Sequence, residues 1–144
     1  MIYLLKKFVL AVTYISAAAP HTGLNAIPYG MCVVHASATH KVPVVRLVAI
    51  VWHESRWRHR AKGSTSDFGL GQIHCPSRYC DDPPTRNQLK MLYDPCTNVH
   101  FVGDLLKRKH HRLRQYNPGN PKYVEKIAWV ERQLRKGGVL LARM

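Results

Sequence analysis

Apolar residues recur at helical spacing in three stretches of the chain. Between 44 and 52 they occupy positions i, i+3, i+4, i+7 and i+8, so one face of a helix that begins at Pro43 is expected in the core. A later helix is predicted to begin at Asn98, which would cap it, and a last helix carries Tyr123 on its apolar face. The predicted core positions are Val44, Leu47, Val48, Val51 and Trp52; Val102, Leu105, Leu106 and Leu113; and Tyr123, Ile127, Val130 and Leu134.

The segments between these helices are rich in turn-forming residues. Residues 31–40 are predicted as a first helix that ends where His40 to Pro43 interrupts it, and Gly137-Gly138 ends the last helix. No segment shows sustained two-residue alternation, so the fold class is predicted as mainly α, a compact helical domain. Loops or irregular structure are predicted for Gly23–Gly30, 58–68, 75–95 and Tyr116–Pro121.

The N-terminal segment has the pattern of a secretory signal. Residues 1–19 combine a basic start, an apolar run of about 12 residues and a stretch of small residues. The apolar run is too short for a comfortable membrane span, and cleavage after Ala18 would place Ser16 and Ala18 at the small-residue positions. We therefore expect export to the periplasm or cell envelope, with a mature domain of residues 20–144. The alternative is a buried N-terminal helix or an uncleaved anchor.

Length and charge narrow the class of partner. The chain has 144 residues, enough for one globular domain, and no repeat of 20–50 residues is visible. Its formal net charge is +14, because 22 Lys and Arg face only 8 Asp and Glu. A domain this basic is expected to act on a polyanion, either nucleic acid, a phospholipid surface or an anionic polymer of the cell envelope. The alternative is a solvated basic surface with no partner.

The four cysteines are Cys32, Cys75, Cys80 and Cys96. Export permits disulfides, and four cysteines allow three pairings among which spacing alone does not choose. A zinc site is the competing use, but no Cys-x-x-Cys pair exists. His53-Glu54 begins like a zinc-protease motif whose second histidine is replaced by Trp57. No metal or other cofactor is therefore expected.

Glu54 is the candidate reactive group. It continues the apolar stripe of the helix that contains Leu47 and Val51, so its side chain is expected to face the core side instead of water. Desolvation disfavours the charged form, which raises a carboxyl pKa and suits a general acid at neutral pH. The alternative is a structural ion pair with Arg56 or Arg58 that lowers the pKa.

Two further segments combine glycine with polar groups. Gly69-Leu70-Gly71-Gln72 lets a ligand or another strand approach the backbone closely. Tyr116-Asn117-Pro118-Gly119 places a phenol and an amide at a turn, which suits a hydroxyl-rich ligand. Each segment is also consistent with an ordinary loop, and Tyr123 with simple burial.

Taken in order, these segments resemble the soluble lytic transglycosylase family, a goose-lysozyme-like group that cleaves peptidoglycan. The family has a helix that ends in Ala-Ile-x-x-x-Glu-Ser, then Gly-Leu-Met-Gln, an Asn that follows Asp-Pro, a Tyr-Asn-Ala-Gly segment and a later Tyr. This sequence has Ala49 to Ser55, Gly69 to Gln72, Asp94 to Asn98, Tyr116 to Gly119 and Tyr123. The resemblance covers roughly residues 32–130 and implies a lysozyme-like helical fold.

The resemblance implies a chemistry and assigns residues to it. Glu54 would act as general acid and then as base on the MurNAc–GlcNAc bond of peptidoglycan glycan strands, giving 1,6-anhydro-MurNAc ends without a cofactor. Ser55, Gln72, Tyr116, Asn117 and Tyr123 would bind the substrate or shape its cleft. No nucleic acid and no stable membrane span are expected.

A narrower likeness is to the small transglycosylases of type III and type IV secretion and pilus systems. It rests on an early Cys, an Asp before Gly-Leu-x-Gln-Ile, and Asp-Pro-Cys-x-Asn. It implies a bridge between Cys32 and Cys96, which leaves Cys75 with Cys80, and secretion, conjugation or pilus components as partners. Two departures from the family are Gly71 in place of Met, which puts the grip on the sugar at that subsite in question, and Pro118 in place of Ala.

Two other functions are consistent with parts of the sequence. In a hydrolytic muramidase, Asp67 would hold a water for inversion some 6.5–9.5 Å from Glu54. In a non-enzymatic binder, the basic run between Lys107 and Arg114 would engage a polyanion such as nucleic acid or anionic lipid, although on a helix such a run is more often a solvated face.

Overall fold

The computed structural model describes all 144 residues, which form seven α-helices and one small sheet. The mainly α prediction is confirmed. The helices are α1 (Ile2–Ala18), α2 (Ala26–His40), α3 (Val44–Ser55), α4 (Arg86–Tyr93), α5 (Pro95–Arg108), α6 (Tyr123–Arg135) and α7 (Val139–Ala142). Short 3₁₀ turns span Pro20–Asn25 and Leu113–Gln115. Strands β1 (Asp67–Phe68) and β2 (Ile73–His74) pair antiparallel, with Asp67 opposite His74.

The predicted apolar faces of α3 and α6 form the centre of the core. All five predicted positions of α3 and all four of α6 are buried, and the two helices pack against each other. The α5 face is confirmed at Val102 and Leu106, whereas Leu105 is half-buried and Leu113 is buried in the 3₁₀ turn after the helix has ended. The periodicity therefore located the three helices that surround the site.

Three expectations about helix boundaries were wrong. Gly23–Gly30 is not a loop, because Ala26 begins α2 and Pro28 lies in the first turn, where its missing N–H breaks no helical bond. The segment 75–95 contains α4, whose start is fixed by a capping box between Thr85 and Gln88. Asn98 does not cap α5, since Asp94 accepts the Thr97 N–H at 2.8 Å and the helix begins at Pro95.

Two disulfides fasten the domain. Cys32–Cys96 joins α2 to α5, and Cys75–Cys80 closes the short loop that follows β2. This is the pairing that the family resemblance implies. The first bridge therefore fixes α2 against α5, on which it packs.

Helix α1 packs on α2, α3 and α7 through Ala11, Ile15 and Ala18. The indole N–H of Trp52 donates to the carbonyl of Ala18 at 3.3 Å. A methyl group at Gly30 would lie 2.6 Å from Val12 of α1, so this close approach requires glycine. No helix has the length and apolar character needed to cross a bilayer. The assignment of residues 1–19 as a signal peptide remains a prediction.

Candidate active site

Glu54 lies in the last turn of α3 and reaches the first residue of α6. The hydroxyl of Tyr123 donates to Glu54 Oε1 at 2.7 Å. Tyr123 is fully buried, and Glu54 is partly exposed. Because α3 and α6 pack face to face, the carboxyl sits where the apolar stripe of α3 ends. One side of the carboxyl is therefore shielded from water by packed side chains, and the other side is accessible to solvent or a ligand.

Burial raises the pKa of Glu54 to about 7. The hydrogen bond from Tyr123 and the charge of Arg56 oppose this rise, whereas the negative charge of Asp67 adds to it. A carboxyl with this pKa is substantially protonated at neutral pH. The balance of these contributions leaves Glu54 with the raised pKa that its place on the apolar stripe predicted.

The alternative of a structural ion pair is not what the structure contains. The Arg56 guanidinium donates to the carbonyls of Trp52 and His53, at 2.7 and 3.0 Å, and its Cζ stacks 3.7 Å from the Trp52 ring centroid. It therefore closes the C-terminal end of α3, and no salt bridge involves Glu54. Burial, together with the charges of Arg56 and Lys126, lowers the pKa of neighbouring His53, which favours the neutral ring beside the acid.

Two tyrosines form one wall of the site. The rings of Tyr116 and Tyr123 stack with centroids 5.9 Å apart and planes within 10°. Tyr116 donates its hydroxyl to the carbonyl of Gly71 at 2.9 Å. Burial, chiefly, raises the pKa of both phenols well above the usual value. Both therefore remain neutral hydrogen-bond donors across the physiological range.

Asn98 positions the Gly69–Gln72 segment from inside α5. It is completely buried, and its Oδ1 accepts the backbone N–H of Gly71 at 2.7 Å. Its Nδ2 donates to the carbonyls of Phe68 and Leu92, at 3.0 and 2.7 Å. The sequence placed Asn98 at a helix cap and missed this role. The signal was that Asp94 already supplied the cap, which left a second polar residue one turn later, facing the core.

Gly71, where the family has Met, is required by local packing. A methyl group there would overlap Val102 and would lie 3.1 Å from the Tyr116 hydroxyl and 3.2 Å from Asn98 Oδ1. The departure from the family pattern thus lets the tyrosine and the asparagine close directly on the backbone of this segment. A side chain at this position would displace Val102 and crowd both hydrogen-bond partners.

The other predicted substrate contacts occupy different settings. Gln72 is half-buried and donates from Nε2 to the carbonyls of Ala61 and Gly69, at 3.2 and 3.0 Å, so it braces the loop. Ser55 is buried and donates to the Val51 carbonyl at 3.2 Å, within its own helix. Asn117 is half-buried in the turn after Tyr116. Their roles in substrate binding remain predictions.

Asp67, the base of the rival hydrolytic mechanism, already has two partners. One carboxyl oxygen contacts Nδ1 of His74 at 2.9 Å, and the other accepts from the hydroxyl of Thr65. The negative charge of Asp67 raises the pKa of Glu54, and its two oxygens are hydrogen-bonded to His74 of β2 and to Thr65, just before β1.

The basic run lies at the end of α5, and three histidines cluster between α2 and α5. Lys107 to Arg112 is exposed at the end of α5, where Arg108 pairs with Asp104 at 2.9 Å. No group of three or more His, Cys, Asp or Glu side chains is arranged to hold a metal ion. The histidines that approach each other, His35, His100 and His40, form a chain in which both ring nitrogens of His100 face a neighbour.

Comparison with known proteins identifies the family. The model of the transglycosylase SLT domain matches residues 31–131, more than two thirds of the chain, and the match includes Glu54, Asn98 and both stacked tyrosines. No curated protein and no solved structure matches the sequence. The match confirms the resemblance drawn from the motifs. The chain belongs to the transglycosylase SLT domain family and is a peptidoglycan lytic transglycosylase.

Proposed function

We propose that Glu54 is the catalytic acid and base of this enzyme. The observation that carries the proposal is a carboxyl whose pKa burial raises to about 7 and whose only side-chain partner is the neutral Tyr123. In the first step Glu54 gives its proton to the oxygen that links C1 of MurNAc to C4 of GlcNAc. The C1–O bond breaks, and positive charge develops on the MurNAc ring.

In the second step the same carboxylate acts as base. The substrate's own N-acetyl group would stabilise the charged C1 centre, since the one carboxylate whose charge reaches Glu54, Asp67, is hydrogen-bonded to His74 and Thr65. Glu54 takes the proton from the C6 hydroxyl of that sugar, and the C6 oxygen bonds to C1. The product is a 1,6-anhydro-MurNAc end, and Glu54 is protonated again for the next cycle.

The tyrosines and the braced loop would hold the substrate for these steps. The Tyr123 hydroxyl fixes Glu54 Oε1, so that the other oxygen, Oε2, faces the scissile bond. Tyr116 and Gln72 keep the 69–72 backbone in place, and Asn117 would supply an amide for the glycan. This arrangement supports binding of sugars through fixed polar groups beside an aromatic wall.

Product analysis tests the proposal. Purified cell-wall sacculi are digested with the wild-type chain and with a Glu54→Gln variant, and the released muropeptides are separated and weighed. We expect anhydro products, lighter by one water than hydrolytic ones, from the wild type and none from the variant. Hydrolytic products would instead support the muramidase mechanism through Asp67, and equal release by both proteins would remove Glu54 from the chemistry.

We propose further that the enzyme is exported and opens the wall locally for an envelope-spanning machine of the secretion, conjugation or pilus type. The support is the early-Cys and Asp-Pro-Cys pattern together with the signal-like residues 1–19. Fractionation of producing cells, followed by N-terminal mass analysis, tests export. A periplasmic species that begins at Ala19 is expected, and a purely cytoplasmic full-length chain would contradict it.

A further inference from the structure

Two adjoining cavities are lined by the segment that follows helix α3. One has a volume of about 380 Å³ and the other about 410 Å³, and both are lined by His59 and Arg60. Arg58 adds a second guanidinium to the first cavity, whereas Arg86 and Lys90 of α4 line the second. We call the surface made by Arg58, His59, Arg60, Arg86 and Lys90 the basic groove.

The cations of the basic groove have no carboxylate partner. None of its four Lys and Arg side chains forms a salt bridge, and all four are exposed. The one acid at its edge, Asp94, is used as the cap of α5. Elsewhere the protein does pair its arginines within 4 Å of a carboxylate, as at Arg46, Arg78, Arg108 and Arg135. The groove therefore concentrates uncompensated positive charge next to concave surface.

The start of the groove is held in a strained conformation. Arg56 and Trp57 are consecutive non-glycine residues with φ of 54° and 62°, a backbone state that L side chains adopt at a cost. Trp57 is 1% exposed and stacks on Tyr29 with centroids 5.6 Å apart, which keeps the turn in place. Its indole N–H is buried without a hydrogen-bond partner. The turn that positions Arg58 to Arg60 therefore has two unfavourable features, a left-handed backbone and a buried indole N–H without a partner.

The basic groove is linked by hydrogen bonds to the loop of residues 69–72. Ala61 lines the first cavity, and its carbonyl accepts both the Gly69 N–H at 2.8 Å and the Gln72 side-chain amide at 3.2 Å. Residues 58–61 also follow Glu54 by only a few positions in the chain. A branch of a polymer that lies across Gln72 would therefore meet the groove.

We propose that the basic groove binds the carboxylates of the short peptides that branch from the glycan strand. This inference rests on the proposed function, since it takes the glycan to lie at Glu54. The peptides hang from MurNAc, the sugar that is cleaved, and they carry free carboxylates. Guanidinium groups bind carboxylates through two parallel hydrogen bonds, so Arg58 and Arg60 recognise the branch while the active site holds the backbone. The enzyme would then favour peptide-bearing wall over bare glycan.

Binding in an inactive background tests this inference. Every protein carries Glu54→Gln, so that the wall stays intact during the measurement. The groove variant adds Arg58→Gln and Arg60→Gln, and a matched control adds Lys107→Gln and Arg112→Gln, two exposed cations outside the groove. Each protein is titrated against insoluble sacculi and against glycan from the same sacculi after an amidase has removed the peptides. Melting temperatures verify that all variants are folded.

We expect the groove variant to bind peptide-bearing wall about tenfold more weakly than its parent at low salt, because two charge-assisted contacts are lost. The control should retain its affinity, the difference should shrink in 0.5 M salt, and on bare glycan the two variants should bind alike. An equal loss on bare glycan, an equal loss in the control, or no loss at all overturns the inference. So does an equal loss for a short DNA duplex, which would make the groove a general polyanion site.

The same proteins separate this inference from the proposed function. Cleavage is measured with the groove substitutions in the otherwise wild-type chain, and binding is measured in the Glu54→Gln background. If Glu54→Gln leaves cleavage intact, the proposed function fails whatever the groove does. If cleavage is abolished but the groove substitutions leave binding to peptide-bearing wall unchanged, only the groove inference fails.

Discussion

The antiparallel contact between helices α3 and α6 carries one acid at each end, and the two ends lie eight residues apart along each helix. At one end, Glu54 of α3 accepts a hydrogen bond from Tyr123 of α6 at 2.7 Å. At the other end, Glu131 of α6 accepts from the Arg46 guanidinium of α3 at 2.8 Å, with Arg135 at 3.9 Å. Both acids lie on the α3–α6 contact, but one has a neutral partner and the other has cations.

The difference shows that the charge of the partner decides whether the burial of an acid is left uncompensated. The Arg46 guanidinium joins Glu131 to α3 through a charge-assisted hydrogen bond and makes it part of the framework. A phenol supplies a directed hydrogen bond without a compensating charge, so burial dominates at Glu54 and raises its pKa to about 7. The same pair of helices thus carries a structural ion pair and a carboxyl with a raised pKa.

The largest expected effect separates the two acids by activity. Glu54→Gln should reduce wall cleavage by about 10³-fold or more, because the amide cannot deliver a proton. Glu131→Gln should leave the rate within about threefold at a temperature where both proteins are folded. Release of soluble muropeptides from sacculi measures both. A comparable loss in the two variants would mean that fold, not chemistry, explains the effect.

The second effect is opposite in sign for the two acids and concerns stability. The pKa of Glu54 is raised on folding from 4.5 to about 7, so the folded state holds the proton more tightly, and wild-type stability falls as pH rises between these values. Glu54→Gln removes this penalty and should stabilise the protein at pH 8 by up to about 3 kcal/mol, an upper bound, with little gain at pH 4.

Glu131→Gln should instead destabilise the protein by about 1–3 kcal/mol at pH 8, since Arg46 loses its partner. Urea unfolding at pH 4 and pH 8 measures the free energy of unfolding of all three proteins. If both variants lost stability at pH 8, the claim that burial destabilises the ionised form of Glu54 would be contradicted.

A third, intermediate effect tests the neutral partner itself. Tyr123→Phe keeps the ring but removes the hydroxyl that favours the ionised form of Glu54, so the pKa of Glu54 should rise further. Cleavage should fall about tenfold as positioning is lost, and the alkaline limb of the pH–rate profile, near 7 in the wild type, should move upward. Tyr79→Phe, which removes a 2.7 Å bond to Asp104 outside the site, is the matched control and should leave the profile unchanged.

The sequence predicted one side of this comparison well. The 3.6-residue periodicity located α3 and α6, and the place of Glu54 at the end of an apolar stripe predicted its environment, because helix geometry fixes which residues share a face. Family motifs added Tyr123. The Glu131–Arg46 pair was not found, since a charged residue next to the core stripe of α6 reads as a surface position until the partner helix is in place.

Features were missed either because they depend on contacts distant in the chain or because a local signal was obscured. Nothing local in Asn98 indicates that its amide serves Phe68, Gly71 and Leu92, because those partners lie up to 30 residues away. Helix α4 was missed because the surrounding Pro, Asp and Asn obscured the Thr85 and Gln88 capping box. The sequence indicated an ordinary polar loop at Arg58 to Arg60, because the stacking of Trp57 on Tyr29 that holds this segment is not visible in the local sequence.

The smallest expected effect sharpens the comparison by removing a neighbouring charge. Asp67 adds to the raised pKa of Glu54, but burial is the larger cause, so Asp67→Asn should lower that pKa only slightly and shift the alkaline limb to lower pH. Below pH 6 the rate should stay within about threefold of the wild type, with anhydro products unchanged. If Asp67 instead positions a hydrolytic water, the rate falls by about 100-fold or more and the wild-type products gain a water. Because both Asp67 oxygens have partners, His74 and Thr65, we expect the first result, in which the phenol-bound carboxyl acts alone.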